Sequence, residues 1–314
     1  MGFKLLQVVR CGIGEVSDAR FLNSNELVAV THTGECFIVD LSQNQVIRHK
    51  NFGVPLSGVS CTDDYIVITS QTGFLSVYMT DFTTVFSYQY SFSAMKAVEA
   101  RVVGDRLHLL GPTETGEQCM YLIFNIVSNT KEADYILSYP QDVTDENPYG
   151  FVVGWNLQPL ATLHEGGQLL IYNQPHNRPV ASFNFEGVCT CLSYVPKFSA
   201  FAIGFVSGFV TLFNDHPLIS VRAAPLPTKE THESLGFSGV NNVRNIGSTL
   251  FVSIWDGSCL MIKRGRVYDR FLPKELTAYY GEDARRHSGI IDIDVSTKRL
   301  LFARTEGKIY ILSC

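Results

Sequence analysis

The residues best placed to do chemistry are Asp292 and Asp294, which alternate with Ile291 and Ile293. On a strand this alternation puts both carboxylates on one face, where they could hold a cation or work as acid and base. The same spacing suits side chains that line a wet channel or cap backbone groups, and no matching histidine or carboxylate set recurs elsewhere in the chain. Gly204-Phe-Val-Ser207-Gly208 sets its serine one place away from the nucleophile-elbow spacing. Gly12-Ile-Gly14 is followed by neither the third glycine nor the helix of a dinucleotide site, and no phosphate-cradling loop motif occurs. The eight histidines never fall at metal-site spacing, and His32 and His164 read as polar residues of two equivalent hairpin turns. The eight cysteines stand at 11, 36, 61, 119, 189, 191, 259 and 314 without a C-x-x-C pair. Cys189 and Cys191 are expected to share one strand face, and the set reads as buried reduced thiols. No catalytic residue, no metal and no cofactor is expected.

Composition narrows the classes further. The 314-residue chain is 46% hydrophobic and 18% charged, enough apolar material for a large core. A formal net charge of −5 argues against a general nucleic-acid binder, which would carry a basic field. No apolar run reaches membrane-spanning length. The N-terminal Met-Gly-Phe-Lys-Leu-Leu lacks the features of a secretory signal, and Leu6 stands where an acylation motif needs Ser or Thr. An intracellular protein, cytoplasmic or nuclear, is expected.

A repeat organises everything else. A turn glycine, any residue, an apolar residue, any residue and two apolar or aromatic residues occur first as Gly34-Glu-Cys-Phe-Ile-Val39-Asp40. Copies begin at Gly73, Gly116 (stretched by insertion), Gly167, Gly208, Gly257 and Gly307, every 39 to 51 residues. Each follows an apolar strand across a tight turn, and further alternating runs flank each pair. Four strands per unit at this period are the signature of propeller blades. The blades are expected at about 14–50, 56–92, 96–140, 149–186, 187–224, 239–273 and 288–314, in one domain spanning 1–314. The last unit lacks a fourth strand, and the unassigned strand Phe3–Val9 is expected to supply it and close the ring. The fold class is all-β, a seven-bladed β-propeller of four-stranded antiparallel blades.

The chain resembles the WD-repeat propellers over essentially its whole length. The glycine-strand copies carry the likeness. Val39, Tyr78, Phe124, Tyr172, Phe213, Ile262 and Leu312 stand where that family often has Trp, and Asp40, Asn125, Asn173 and Asn214 where it often has Asp. The one Trp-Asp pair, Trp255-Asp256, lies in a turn before its glycine. The family's buried hydrogen-bond network is therefore mostly missing, and apolar packing between blades must replace it. Trp155 and Trp255 divide between core packing and a turn. The resemblance also implies that loops joining second to third strands, and loops between blades, emerge on one rim. Insertions at 111–118, 140–148, 224–236 and 273–287 would all converge there.

Loops held on a rigid scaffold are where binding residues gather. Tyr279, Tyr280, Arg285, Arg286 and His287 mix types enriched at interfaces. Trp255, Lys229 and His232 complete the expected rim. The leading reading is a non-enzymatic interaction scaffold, a propeller subunit of a larger assembly that captures a protein or peptide through these loops. The alternatives are a hydrolase or lactonase using Asp292 and Asp294 in the channel, and a reader of phosphopeptides or RNA.

Overall fold

The computed structural model describes residues 2–10, 15–89, 99–112, 119–137, 152–164, 166–173, 179–223, 239–255, 257–272, 290–304 and 307–314. Of the expected site residues, Tyr279, Tyr280, Arg285, Arg286, His287, Lys229 and His232 lie outside these ranges. Among the described residues there are 28 strands, beginning with β1 (Lys4–Arg10). The first sheet is β2 (Val16–Phe21), β3 (Glu26–Thr31), β4 (Glu35–Asp40) and β5 (Gln45–Asn51). The second is β6 (Leu56–Cys61), β7 (Tyr65–Ser70), β8 (Phe74–Met79) and β9 (Thr84–Gln89). The third is β10 (Glu99–Val103), β11 (Arg106–Pro112), β12 (Cys119–Asn125) and β13 (Thr130–Leu137). The fourth is β14 (Val152–Leu157), β15 (Leu160–His164), β16 (Gln168–Tyr172) and β17 (Pro179–Asn184). The fifth is β18 (Cys189–Val195), β19 (Ala200–Phe205), β20 (Phe209–Asn214) and β21 (His216–Arg222). The sixth is β22 (Val240–Ile246), β23 (Thr249–Ile254), β24 (Cys259–Lys263) and β25 (Arg266–Phe271). In the seventh, β26 (Ile290–Asp294), β27 (Arg299–Arg304) and β28 (Lys308–Ser313) are joined by β1. The protein is an all-β seven-bladed propeller.

Strand β1 runs antiparallel to β28 from Lys4↔Ser313 to Arg10↔Lys308, so the N-terminal strand completes the C-terminal blade. Two compact units are distinguishable. One comprises Met1–Arg10, Val153–Leu169 and Phe183–Cys314, the other Cys11–Val152 and Leu170–Ser182. Within the second unit the first strands β2, β6 and β10 lie beside one another, and within the first unit so do β18, β22 and β26. First strands are therefore innermost and fourth strands outermost.

Burial follows from this order. The second strands have no exposed residue in β3, β7, β15, β19 and β23, because neighbouring sheets cover both faces. The fourth strands β5, β21 and β25 are largely exposed. The core is accordingly a series of layers between sheets. Val28, Ile38, Ile66 and Ile68 share one such layer, and Leu75, Val77, Leu107 and Leu122 share the next. Val210, Leu212, Leu250 and Ile262 belong to another.

Six of the seven repeat glycines act as the pattern predicts, and Gly116 lies outside the described residues. Gly34, Gly73, Gly167, Gly208, Gly257 and Gly307 all take positive φ at the turn between second and third strands. The polar residue closing the repeat has a local task. Asp40 Oδ1 accepts from the backbone N–H of Ser42 and Gln43, and Asn125 Oδ1 from those of Val127 and Ser128. These are Asx turns, which end one strand and start the next without outside help.

Two strand-level expectations change. His164 is the last residue of β15 and is buried, its Nε2 3.1 Å from the Thr162 hydroxyl, so it is a core residue and not a turn residue. His32 does lie in its turn, where Nδ1 meets the Gln71 amide of the next blade at 3.1 Å. Cys189 and Cys191 do not share a face by alternation. A bulge between them sets Cys189 opposite Phe205 and Cys191 opposite the adjacent Gly204.

Candidate functional site

Polar residues of the innermost strands β2, β22 and β26 are held by hydrogen bonds. On β2, Asp18 Oδ1 takes the Arg20 Nη1 donor at 2.5 Å, and the same Nη1 donates to the Ala19 carbonyl at 2.8 Å. Asp18 Oδ2 accepts the Val59 backbone N–H of the next blade at 3.0 Å. This carboxylate ties two blades together. On β22 the arrangement returns as Asn242 and Arg244, with Arg244 Nη1 on Asn242 Oδ1 at 2.9 Å and on the Val243 carbonyl at 3.1 Å. An acceptor two residues before an arginine was readable in both strands, but only the packing of β2 beside β6 makes it a clamp between blades.

Asp294 is engaged in the same way as Asp40. Its Oδ1 accepts from the Ser296 N–H at 3.0 Å, the Ser296 hydroxyl at 2.6 Å and the Thr297 N–H at 3.3 Å. Its Oδ2 takes the Thr297 hydroxyl and the Arg299 guanidinium. Burial pushes its carboxyl up, but hydrogen bonds from Ser296 and Thr297 outweigh that and bring it down to about 2. Of the two readings open for Asp294, turn capping is the one its bonds support. Asp292, two residues earlier on the same strand, is half-buried and also has partners.

The sign of the pH effect follows. A carboxyl held at about 2 when folded, against an ordinary 3.8, adds stability that is complete above the ordinary value. That stability is lost as pH falls through about 2. Asp294→Ala should therefore be less stable than the parent at pH 7, with the gap closing between pH 4 and pH 2. A gap that stays constant in denaturant titrations across that range would remove the turn from the acid response.

The thiols are poor nucleophiles. Burial pushes Cys189 up to about 12 and Cys191 up to about 11, and it also raises Cys259 well above the ordinary thiol value. Cys36, Cys61, Cys189, Cys191, Cys259 and Cys314 are free thiols. Among the described residues no group of three or more His, Cys, Asp or Glu side chains could hold a metal ion. His108, on β11, is buried in the third blade with Nδ1 2.8 Å from the Tyr121 hydroxyl, and burial lowers its pKa.

Of the expected rim residues, Trp255 is described. It occupies the turn between β23 and β24, as read from sequence, while Trp155 is a core residue only 2% exposed. Trp255 is half-buried. Its backbone N–H donates to the Gly239 carbonyl at 2.8 Å, and its indole lies flat on that glycine. A Cβ at Gly239 would come within 2.5–2.6 Å of three ring atoms. The glycine is thus a seat that holds the ring partly in and leaves one side outward.

A second feature had no signal in the sequence. A cleft of about 190 Å³ opens between the fifth and sixth blades. Val210, Leu212, Ile219, Val221, Leu250 and Ile262 form its apolar walls. Lys197, Phe198, Ser248 and Arg264 stand at its mouth. These four belong to the turns β18–β19, β22–β23 and β24–β25, at the opposite end of the sheets from Trp255.

Comparison with known proteins gives the fold and stops there. No protein-family profile matches the chain, and no curated protein sequence is similar to it. Among solved structures, the crystal structure of Chaetomium thermophilum Raptor is similar, with a TM-score of 0.75 at 11% sequence identity. The likeness covers 100% of this chain and 29% of that one, so the chain spans less than a third of that protein's length. Similar folds occur in 1536 chains, which is why likeness of fold by itself selects no activity.

Proposed function

We propose that this propeller is a non-enzymatic scaffold, a divergent relative of the WD-repeat proteins that presents the loops at one end of its blades to a protein or peptide partner within an intracellular assembly. The observation that carries this reading is the engagement of the inner-strand polar groups. Asp18, Arg20, Asn242, Arg244 and Asp294 are bonded to neighbouring backbone or side chains, as residues that hold a frame are. A half-buried Trp255 seated on Gly239 at the turn end supports it, since tryptophan anchored on a rigid support is a common binding hot spot. Among the described residues no helix is long and apolar enough to cross a membrane.

The test is partner capture with the full chain. Tyr279→Ala, Tyr280→Ala and Arg285→Ala combined, and Trp255→Ala separately, should each weaken capture at least tenfold with the melting temperature nearly unchanged. Capture unaltered by both sets would move the docking surface elsewhere. A reading in which the channel hydrolyses a substrate would instead require turnover that Asp292→Asn abolishes.

A further inference from the structure

In four gaps between blades, aromatic rings from the end of one blade pack on rings of the next. Phe52 meets Tyr78 at 5.6 Å between ring centres, and Phe86 and Tyr88 meet Phe124 at 5.2 and 4.8 Å. Phe183 and Phe185 meet Phe213 at 4.8 and 4.9 Å, and Phe271 meets Tyr310 at 5.6 Å. The gap between the fifth and sixth blades is built differently. Strand register identifies the substitutions one by one. Ile219 pairs with Leu212 as Phe86 pairs with Val77. Val221 pairs with Val210 as Tyr88 pairs with Leu75 and Phe271 with Cys259. Ala223 donates to the Gly208 carbonyl as Phe52 does to Gly34 and Phe185 to Gly167. On the receiving blade, Ile262 stands where Tyr78, Phe124 and Phe213 stand in theirs. Small aliphatic groups replace rings on both sides, and the cleft of about 190 Å³ is the room they leave.

The size and the charge at the mouth select an occupant. An apolar protein cavity of about 150 Å³ is known to take a benzene ring, so this one holds a single aromatic side chain. Lys197 and Arg264 are exposed at the mouth, and neither side chain has an ion pair or hydrogen bond among the described residues. The lining contains no carboxylate. Phe198, 36% exposed on the same lip, adds an apolar edge.

We propose that the cleft between the fifth and sixth blades is a docking site for an acidic segment of a partner protein, which inserts one aromatic side chain as the missing ring and sets its carboxylates against Lys197 and Arg264. This surface lies at the other end of the blades from Trp255, so it does not depend on the rim loops.

The probe is a fluorescein-labelled peptide Asp-Glu-Phe-Glu-Asp-Asp, titrated by anisotropy against the full chain, with a second peptide carrying Ala in place of Phe. The phenylalanine peptide should bind at least tenfold more tightly. Val221→Tyr restores the ring used elsewhere and should abolish binding. Should that variant misfold, Lys197→Glu with Arg264→Asn tests the mouth on two exposed positions; asparagine tolerates the left-handed backbone at 264. The pair should weaken binding at least tenfold and remove the loss of affinity that added salt causes in the parent, with the melting temperature unchanged. Equal binding of both peptides, no binding, or binding that survives the charge changes would overturn the proposal. Phenylacetate competing as tightly as the peptide would also overturn it, marking a small-molecule site. Trp255→Ala should leave this binding intact, which separates its failure from failure of the rim.

Discussion

Gly167→Ala should lower the melting temperature by at least roughly 5 °C, the largest loss expected from adding a single methyl group. Two independent costs meet there. At φ +91 the backbone is in a region that L side chains rarely enter, a cost of about 1–3 kcal/mol. The new Cβ would also collide with the carbonyl oxygen of Phe185 and lie 3.0 Å from that of Gly187. Both are backbone atoms with no rotamer to yield, and such overpacking costs a similar roughly 1–3 kcal/mol. Gly247→Ala separates the two costs. Its φ is +57, and nothing lies within 4 Å of the position the added methyl would take, so only the conformational part applies. Differential scanning calorimetry of the two variants should show Gly167→Ala melting clearly lower. Equal melting would mean that the crossing strand retreats freely, and the tight approach between glycine turn and outer strand would lose its structural meaning.

The second large effect is Trp155→Ala. This indole is 2% exposed on the innermost strand of the fourth blade, and the adjacent Gly154 packs directly on Leu192 of the fifth. A strand pressed that closely on its neighbour cannot slide in to fill a void. The cost should be at the level of a large core truncation, about 3–5 kcal/mol. Urea unfolding would measure it, and a loss below about 1 kcal/mol would place the ring outside the packed core. With only two tryptophans in the chain, Trp255→Phe leaves emission from residue 155 alone. That emission should be blue-shifted and should redden in step with unfolding.

The architecture was legible because its punctuation is chemical. Positive φ demands a glycine before six of the third strands, and an array with one strand too few in its last unit and one to spare ahead of its first can be completed in one way. The missing Trp-Asp pairs did not obscure this, since rings such as Phe124 and Phe213 fill the same positions. What stayed hidden depends on register. That Val221 stands where Tyr88 and Phe271 stand cannot be seen until the ladders fix which residue faces which, because a single bulge moves the count by one. The bulge at Thr190 upset the expected sharing of one face by Cys189 and Cys191 for the same reason. Asp294 is a different case: Asp40-Leu-Ser42 and Asp294-Val-Ser296 share a turn pattern, which was present in the sequence to be read. For the loops bearing Tyr279, Tyr280, Arg285, Arg286, His287, Lys229 and His232, the expectation stands as a proposal.

Pairing of Leu5 with Leu312 also sets a schedule for synthesis. The strand of this propeller that is made first has its partner made last, so six blades can assemble in order while this ribbon waits unpaired. Bringing those two strands together closes the longest loop in the propeller, the kind of contact that slows folding most. A nascent chain stalled before residue 308 would carry two bare edges, each a template for a chaperone or for the same ribbon of another copy.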